Sequence, residues 1–482
     1  MKIRPITQLP APESDLLVAV FVSIPHLVDA QTWIQDALGS HSLTEDEAKA
    51  GSSKLVVIDG RPVLIVGLGD SPTEEHFRKA VHQVYQSAGK MGFHQLALHG
   101  GWKFDEETRL MTLAETLYLS AYRFDRHLSK TKPAPIQTIL LVTGESFEDD
   151  ILDRALIYAE STCTARDLVN EPSNILSAEE FSKRIEASGA QYGYSVEVLH
   201  EARIQSLKMG GLLAVNAGSV QPPTFTIMDY RPEDAVNEKP IILVGKGVVY
   251  DTGGLSLKPT PNSMDFMKAD MAGAAAVVGA IEGAARRKLP VWVMGLIPAT
   301  DNRPGVEAFA PGDIITMYDG STVEMLNSDA EGRMILADAL SYAKQYDPEL
   351  VIDLATLTGA AVVAIGGVGI AMMGTADRDT KESLMQSGQD VHERLVEFPL
   401  WEEYGDMLKS EIADIKNLGP RGAGAITAGK FLEHFTDYPW IHLDIAGASY
   451  SHSPDSYRGQ FGTGIGVRLL LDYLEYYEQP QS

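Results

Sequence analysis

The chain has 482 residues, 44% of them hydrophobic and 22% charged, a composition that buries sizeable cores and excludes collagen-like, low-complexity and disordered classes. Against 40 Lys and Arg stand 66 Asp and Glu, a net charge of −26 that repels phosphate backbones and anionic lipid, so neither nucleic acid nor a membrane surface is expected as a partner. The lone Cys163 makes no intrachain disulfide, and neither a basic-then-apolar leader nor an apolar run of about 18 residues is read, so a cytoplasmic setting is expected.

Along the first third, apolar runs rich in β-branched residues (16–22, 54–58, 62–66, 95–98 and 138–142) alternate with helical patterns, which predicts an α/β fold. One helix is well marked, with Ser71 as cap, Pro72 at its first position, Glu74 closing a capping box and Phe77, Val81, Val84, Tyr85 and Ala88 in one stripe. Residues 131–135 read as a loop, and a helix over about 149–169 ends ahead of Pro172. Length favours two domains: a smaller N-terminal α/β domain over 1–150 and, after a linker helix at 151–172, a larger one over 173–482. The larger one carries strands at 241–244, 291–297 and 351–354, a small-residue helix at 272–288 and an apolar helix at 334–343.

Charge concentrates in two otherwise apolar, Gly-rich stretches, 244–271 and 327–333. Lys246, Asp251, Lys258, Asp265, Lys268, Asp270, Asp329, Glu331 and Arg333 flank elements that read as buried, where an unpaired charge costs on the order of several kcal/mol. Such groups either pair with one another or hold metal. Asp329 and Glu331 lie two apart ahead of an apolar helix and Asp251 closes a strand-associated run; with Asp270 they make four carboxylates, whose charge two divalent cations neutralise. His and Cys are absent from both stretches, so the ligand set is hard: Mn²⁺ or Mg²⁺ suits it, and Zn²⁺ is allowed. A paired site of this kind activates water and polarises a carbonyl, which makes hydrolysis the expected reaction class.

Competing motifs are incomplete. Gly245-Lys-Gly247 lacks the rest of a P-loop, and Gly67-Leu-Gly69 and Gly462-Thr-Gly464 lack the third Gly of a dinucleotide fingerprint. Ser256 with Lys258 as a neutral base is a rival nucleophile pair whose elbow lacks its final Gly. His99, His434 and His442 read as core or surface residues rather than ligands.

The blocks at 245–259 (GKGVVYDTGGLSLKP), 267–275 (MKADMAGAA), 327–333 (NSDAEGR), 353–360, 424–432, 442–447 and 462–470 resemble the leucyl aminopeptidase family, dinuclear metallo-exopeptidases of the cytosol aminopeptidase type. The resemblance covers about 165–471 and departs at Ser328, where the signature usually carries Thr, and in a spacing from Lys258 to Asp270 one residue longer than usual. It implies an aminopeptidase that releases N-terminal residues, leucine-like ones preferred, by attack of a hydroxide bridging two Mn²⁺ or Zn²⁺ ions. Lys246, Asp251, Asp270 and Glu331 would hold one metal, and Asp251, Asp329 and Glu331 the other. Lys246 would then be neutral, its pKa strongly lowered, while Lys258 would donate to the oxyanion and Arg333 hold a bicarbonate acting as base. Met267, Thr356, Leu357, Gly359 and Ala448 would line the substrate site, and the chain would form a homohexamer acting on peptides with a free N-terminus. The expected architecture is two α/β domains, the larger with a mixed, mainly parallel sheet between helices. Another two-metal hydrolase, such as a phosphoesterase, or a regulatory or binding protein are the alternatives.

Overall fold

A computed structural model describes residues 1–100, 107–131, 133–143 and 149–477. The chain divides into two compact units: Met1–Glu160 with Pro454–Gly459, and Ser161–Ser453 with Gln460–Ser482. The division falls inside the helix Asp149–Asn170, on which the expected linker at 151–172 lies.

In the first unit the strands run, in spatial order, Lys2–Ile6, Thr138–Val142, Gln95–Gly100, Leu16–Ser23, Arg61–Gly69 and Ser53–Ile58. Neighbours are parallel except the last pair, which a turn at Asp59-Gly60, both at positive φ, folds antiparallel. The marked helix forms as Glu74–Met91, but its cap is Thr73, not Ser71: the Thr73 hydroxyl accepts from His76 N at 3.3 Å, and His76 Nδ1 accepts from Thr73 N. Pro72 therefore precedes the cap instead of opening the helix, and His76 takes the part expected of Glu74. The apolar stripe is buried as expected.

The second unit is built on a nine-stranded sheet, in which Leu350–Ala355 pairs parallel with Ile241–Gly245 on one side and Trp440–Asp444 on the other. Val293–Asn302, longer than expected at its end, runs parallel to Ile241–Gly245 and Gly247–Asp251; antiparallel pairings extend the sheet outward. The sheet is thus mixed and mainly parallel. Lys246, Asp251, Thr356 and Asp444 stand at or just beyond the carboxyl ends of strands that run the same way, the edge at which α/β sheets gather ligand chemistry.

Two helices fix that edge. Glu331–Ala343, buried throughout, packs in a core with Ile242, Val244, Val351 and Trp440. Ala272–Arg287 lies against the opposite face, where a Cβ on Gly245 would meet Ala274 Cα at 2.4 Å and one on Gly273 would meet the Leu354 carbonyl at 2.0 Å. Its run of Ala and Gly is what permits this approach, and the approach sets Lys246 opposite Asp270. Gly273→Val is expected to force the helix off the sheet, lowering stability by about 1–3 kcal/mol or more in a denaturant titration; an unchanged midpoint contradicts this packing account.

Candidate metal centre

Lys246 follows its strand directly, and its ammonium lies 2.8 Å from Asp270 Oδ2 and 3.0 Å from Glu331 Oε1 while donating to the Thr356 carbonyl at 2.9 Å. Thr356 Oγ1 in turn donates to Asp270 Oδ1 at 2.7 Å. Lys258 sits between Asp251 Oδ2, at 2.9 Å, and Asp329 Oδ1, at 2.5 Å. Asp251, Asp329 and Glu331 each aim an oxygen at one point, all three atoms within 4.8 Å of one another. The expected helix starts at Glu331, earlier than expected, so Glu331 projects from its first residue and Asp329 from the turn before it.

Asp251 is oriented by the Gly253 backbone N–H at 2.8 Å and by Asn302 Nδ2 at 2.9 Å, which also donates to the Ser328 carbonyl. The Ser328 hydroxyl ties the two stretches together, donating to Gly253 O and accepting from Ser256 N. A Thr here would supply the same hydroxyl. Asn302 was not singled out by the sequence reading, since one Asn at the end of a strand carries no pattern.

Burial opposes every charge in this cluster, and the partners decide the outcome. For Lys246, burial lowers the pKa, but among the protein's own charges the carboxylates of Asp270, Glu331 and Asp251 outweigh it and raise it; the dication on which the expected lowering rests acts in the opposite direction. Lys258 is raised in the same way, against its burial, by Asp251, Glu331 and Asp329. A charged Lys258 cannot serve Ser256 as a neutral base, so the rival serine/lysine reading is lost. Burial pushes Asp251 up to about 6 and raises Asp270 and Asp329, with Glu331 adding to each. Glu331 alone is lowered, because Lys246 and Lys258 more than offset its burial.

Protein charge alone therefore leaves four carboxylates against two lysines, and Glu331 Oε2, though buried, has no hydrogen-bond partner. An all-oxygen set with surplus negative charge and an open lone pair fits hard divalent cations. Asp265 and Lys268 are not part of it: Asp265 Oδ1 accepts from Ser263 N, and Lys268 donates to Asn170 O.

Arg333, in the first turn of the helix that Glu331 begins, is buried, with Nη1 donating to the Asn417 carbonyl at 2.7 Å and Nε unpartnered. Burial lowers its pKa to about 10. Thr356 adjoins the cluster, and next to it the Leu357 N–H and the Thr358 hydroxyl both donate to Asp444. Met267 is half-buried on the turn ahead of Asp270, Gly359 is exposed at the start of the next helix, and Ala448 is buried, its carbonyl accepting from Thr463 Oγ1.

The profile of the cytosol aminopeptidase family, catalytic domain, matches residues 163–471, and that of the same family's N-terminal domain matches 43–131. The chain belongs to the cytosol aminopeptidase family. A probable cytosol aminopeptidase of Chlorobium limicola is 42% identical over 96% of this chain and 97% of its own. Among solved structures, BotP, a bottromycin maturation enzyme in complex with Mn, is 32% identical, with TM-score 0.84 over 96% of this chain and 99% of its own. A variant of tomato leucine aminopeptidase is 27% identical, with TM-score 0.88 over 99% and 97%. As a member of this family the chain is a metal-dependent aminopeptidase, a hydrolase acting on peptides. No helix among the described residues is long and apolar enough to cross a membrane.

Metal ligands must be deprotonated, and Asp251 holds its proton up to about 6, so metal affinity is expected to fall as pH drops through that value. A metal titration that stays flat from about pH 8 to about pH 5 contradicts the assignment. Asp329→Ala and Glu331→Ala are expected to abolish turnover and lower bound metal with circular dichroism unchanged. Full metal and full turnover in both would remove these residues from the site.

Proposed function

We propose that the cluster holds two divalent cations, Mn²⁺ or Zn²⁺ with Mg²⁺ as a further option, and that the enzyme releases leucine-like N-terminal residues from peptides. The convergence of Asp251, Asp329 and Glu331 on one point, with Lys246 joining Glu331 to Asp270, is the observation that carries this reading. Asp251, Asp270, Asp329 and Glu331, joined by Lys246 once it has given up its proton, would hold the two ions. Bound there, the pair supplies a water activated at neutral pH and a Lewis acid for the scissile carbonyl.

The remaining steps belong to the chain. Lys258, charged and fixed between two carboxylates, is placed to donate a hydrogen bond to the oxyanion that forms as the carbonyl becomes tetrahedral. Arg333, its Nε free, is the group to hold a small anion such as bicarbonate, which can take the proton of the attacking water and return it to the leaving amine. Met267, Thr356, Leu357, Gly359 and Ala448 would receive the N-terminal side chain. We read the working form as a cytoplasmic homohexamer, in keeping with relatives named cytosol aminopeptidases.

Turnover of leucine-p-nitroanilide beside its N-acetylated twin, after chelation and after adding back Mn²⁺ or Zn²⁺, tests this. Hydrolysis of the free-amine substrate alone, restored by metal, is expected; equal turnover of both, or activity that survives chelation, contradicts it. Lys258→Ala should keep its metal yet lose about 10²–10³-fold in kcat, the scale for one oxyanion donor. Loss of metal in that variant would make Lys258 structural.

A further inference from the structure

A chamber of about 540 Å³ is left unused by the mechanism so far, and its size is that of a site for a small molecule. Gly359, Ala360, Val363, Phe398, Arg421 and Ile426 are among its walls, and Arg421 is the only charged residue of the lining. The helix Gly359–Ile365 forms one side and the start of the helix Gly424–Glu433 the other. The two sides are fixed to each other: Ala361 and Ala425 share one small core, Ala360 and Phe398 pack against it, and a Cβ on Gly424 would stand 3.2 Å from that of Ala360.

Both sides start from the metal centre. The Thr356 carbonyl accepts from Lys246 and its hydroxyl donates to Asp270; Gly359 follows three residues later, at most about 11 Å on. On the other side the Asn417 carbonyl accepts from Arg333, and its Nδ2 donates to the Asn327 carbonyl, two residues ahead of Asp329; Arg421 follows four residues later, at most about 14 Å on. Three extended residues of a peptide, at about 3.3–3.6 Å each, cover the same ground. Of the five residues read as receiving the N-terminal side chain, only Gly359 also lines the chamber. A Cβ there would meet nothing within 4 Å, so the way past Gly359 is open. A peptide whose first residue fills the one space can therefore run on into the other.

The charge of the chamber says what it would take. The chain carries 66 acidic residues against 40 basic ones, yet this lining holds one guanidinium and no carboxylate. Among the described residues no carboxylate pairs with Arg421. A guanidinium is always charged and matches a carboxylate with two parallel N–H donors, while the apolar walls suit uncharged side chains.

We propose that the chamber receives the part of the peptide beyond the scissile bond and that Arg421 pairs with the C-terminal carboxylate of peptides about three residues long. Short free peptides with apolar residues after the first are then the preferred substrate class. The inference rests on the reading that the first residue sits among Met267, Thr356, Leu357, Gly359 and Ala448.

The test gives the Mn²⁺-loaded enzyme leucyl-alanyl-phenylalanine and its C-terminal amide, with leucine-p-nitroanilide, which has no carboxylate, as the internal reference for each variant. The wild type is expected to favour the free acid at least about fivefold in kcat/KM, the upper scale for an open ion pair, and through KM rather than kcat. Arg421→Met, which keeps an apolar stem without the charge, should bring the ratio to within about twofold of one, and Arg421→Glu should reverse it. Three further alanines carry the carboxylate about 10 Å beyond the cation, and the preference should vanish in that longer pair. Equal turnover of acid and amide by the wild type, a preference that survives Arg421→Met, or one that persists in the longer pair overturns the inference and leaves the metal site as argued. Failure of the wild type to hydrolyse any of these free-amine substrates overturns the reading of the site, and this inference with it.

Discussion

A buried surplus of negative charge at the carboxyl edge of one sheet is the constraint around which the second unit is organised. Asp251, Asp270 and Glu331 are almost wholly removed from water, with Asp329 at the rim, and among the described residues Lys246 and Lys258 are the cations paired with them. Four like charges so placed are unfavourable on their own account, which is why burial and mutual repulsion push three of the four carboxyl pKa values upward. Divalent cations relieve both terms at once. Lys246 lies between Asp270 and Glu331, and Lys258 between Asp251 and Asp329, so each lysine offsets part of the surplus.

Holding that surplus in place takes a scaffold with little give. The parallel strands deliver Lys246 and Asp251 to one edge, and the Ala- and Gly-rich helix closes on the sheet tightly enough to bring Asp270 to Lys246. Neutral donors then fix the carboxylates, Asn302 and Gly253 on Asp251 and Thr356 on Asp270. The Ser328 hydroxyl clasps the Gly253 turn to the segment that carries Asp329 and Glu331, coupling two stretches far apart in sequence. Each link is a short-range interaction, yet together they set the spacing of the carboxylates.

Much of this was legible in the sequence because charge inside Gly-rich apolar stretches has few explanations. The residues that do the holding were not. Asn302 and Asn417 show no periodicity or motif of their own, and Asp444 is read only as part of the block 442–447 without a role; what they hold emerges only when segments distant in sequence meet. Local chemistry misled at the Glu74–Met91 helix, where Ser71-Pro72 imitates a start but the Thr73 hydroxyl and the His76 ring supply the real one. Asp265 and Lys268 likewise shared the charged stretch without sharing the site, since the turn that carries Met267 directs them to Ser263 and Asn170. That residues 454–459 belong to the first unit, with Tyr457 and Arg458 both bonded to Glu75, is a long-range pairing that no window of sequence reveals.

The account stands on the number of ions that the cluster takes. Native mass spectrometry of chelated protein titrated with Mn²⁺ counts them directly, with Glu331→Ala as the reference in which one buried carboxylate of the cluster is removed. Two ions per chain in the wild type, and fewer in the variant, is the result the charge argument predicts. A single ion, or a count unchanged by Glu331→Ala, would show that the lysines and carboxylates satisfy one another and that the surplus charge is not what the site is built to hold.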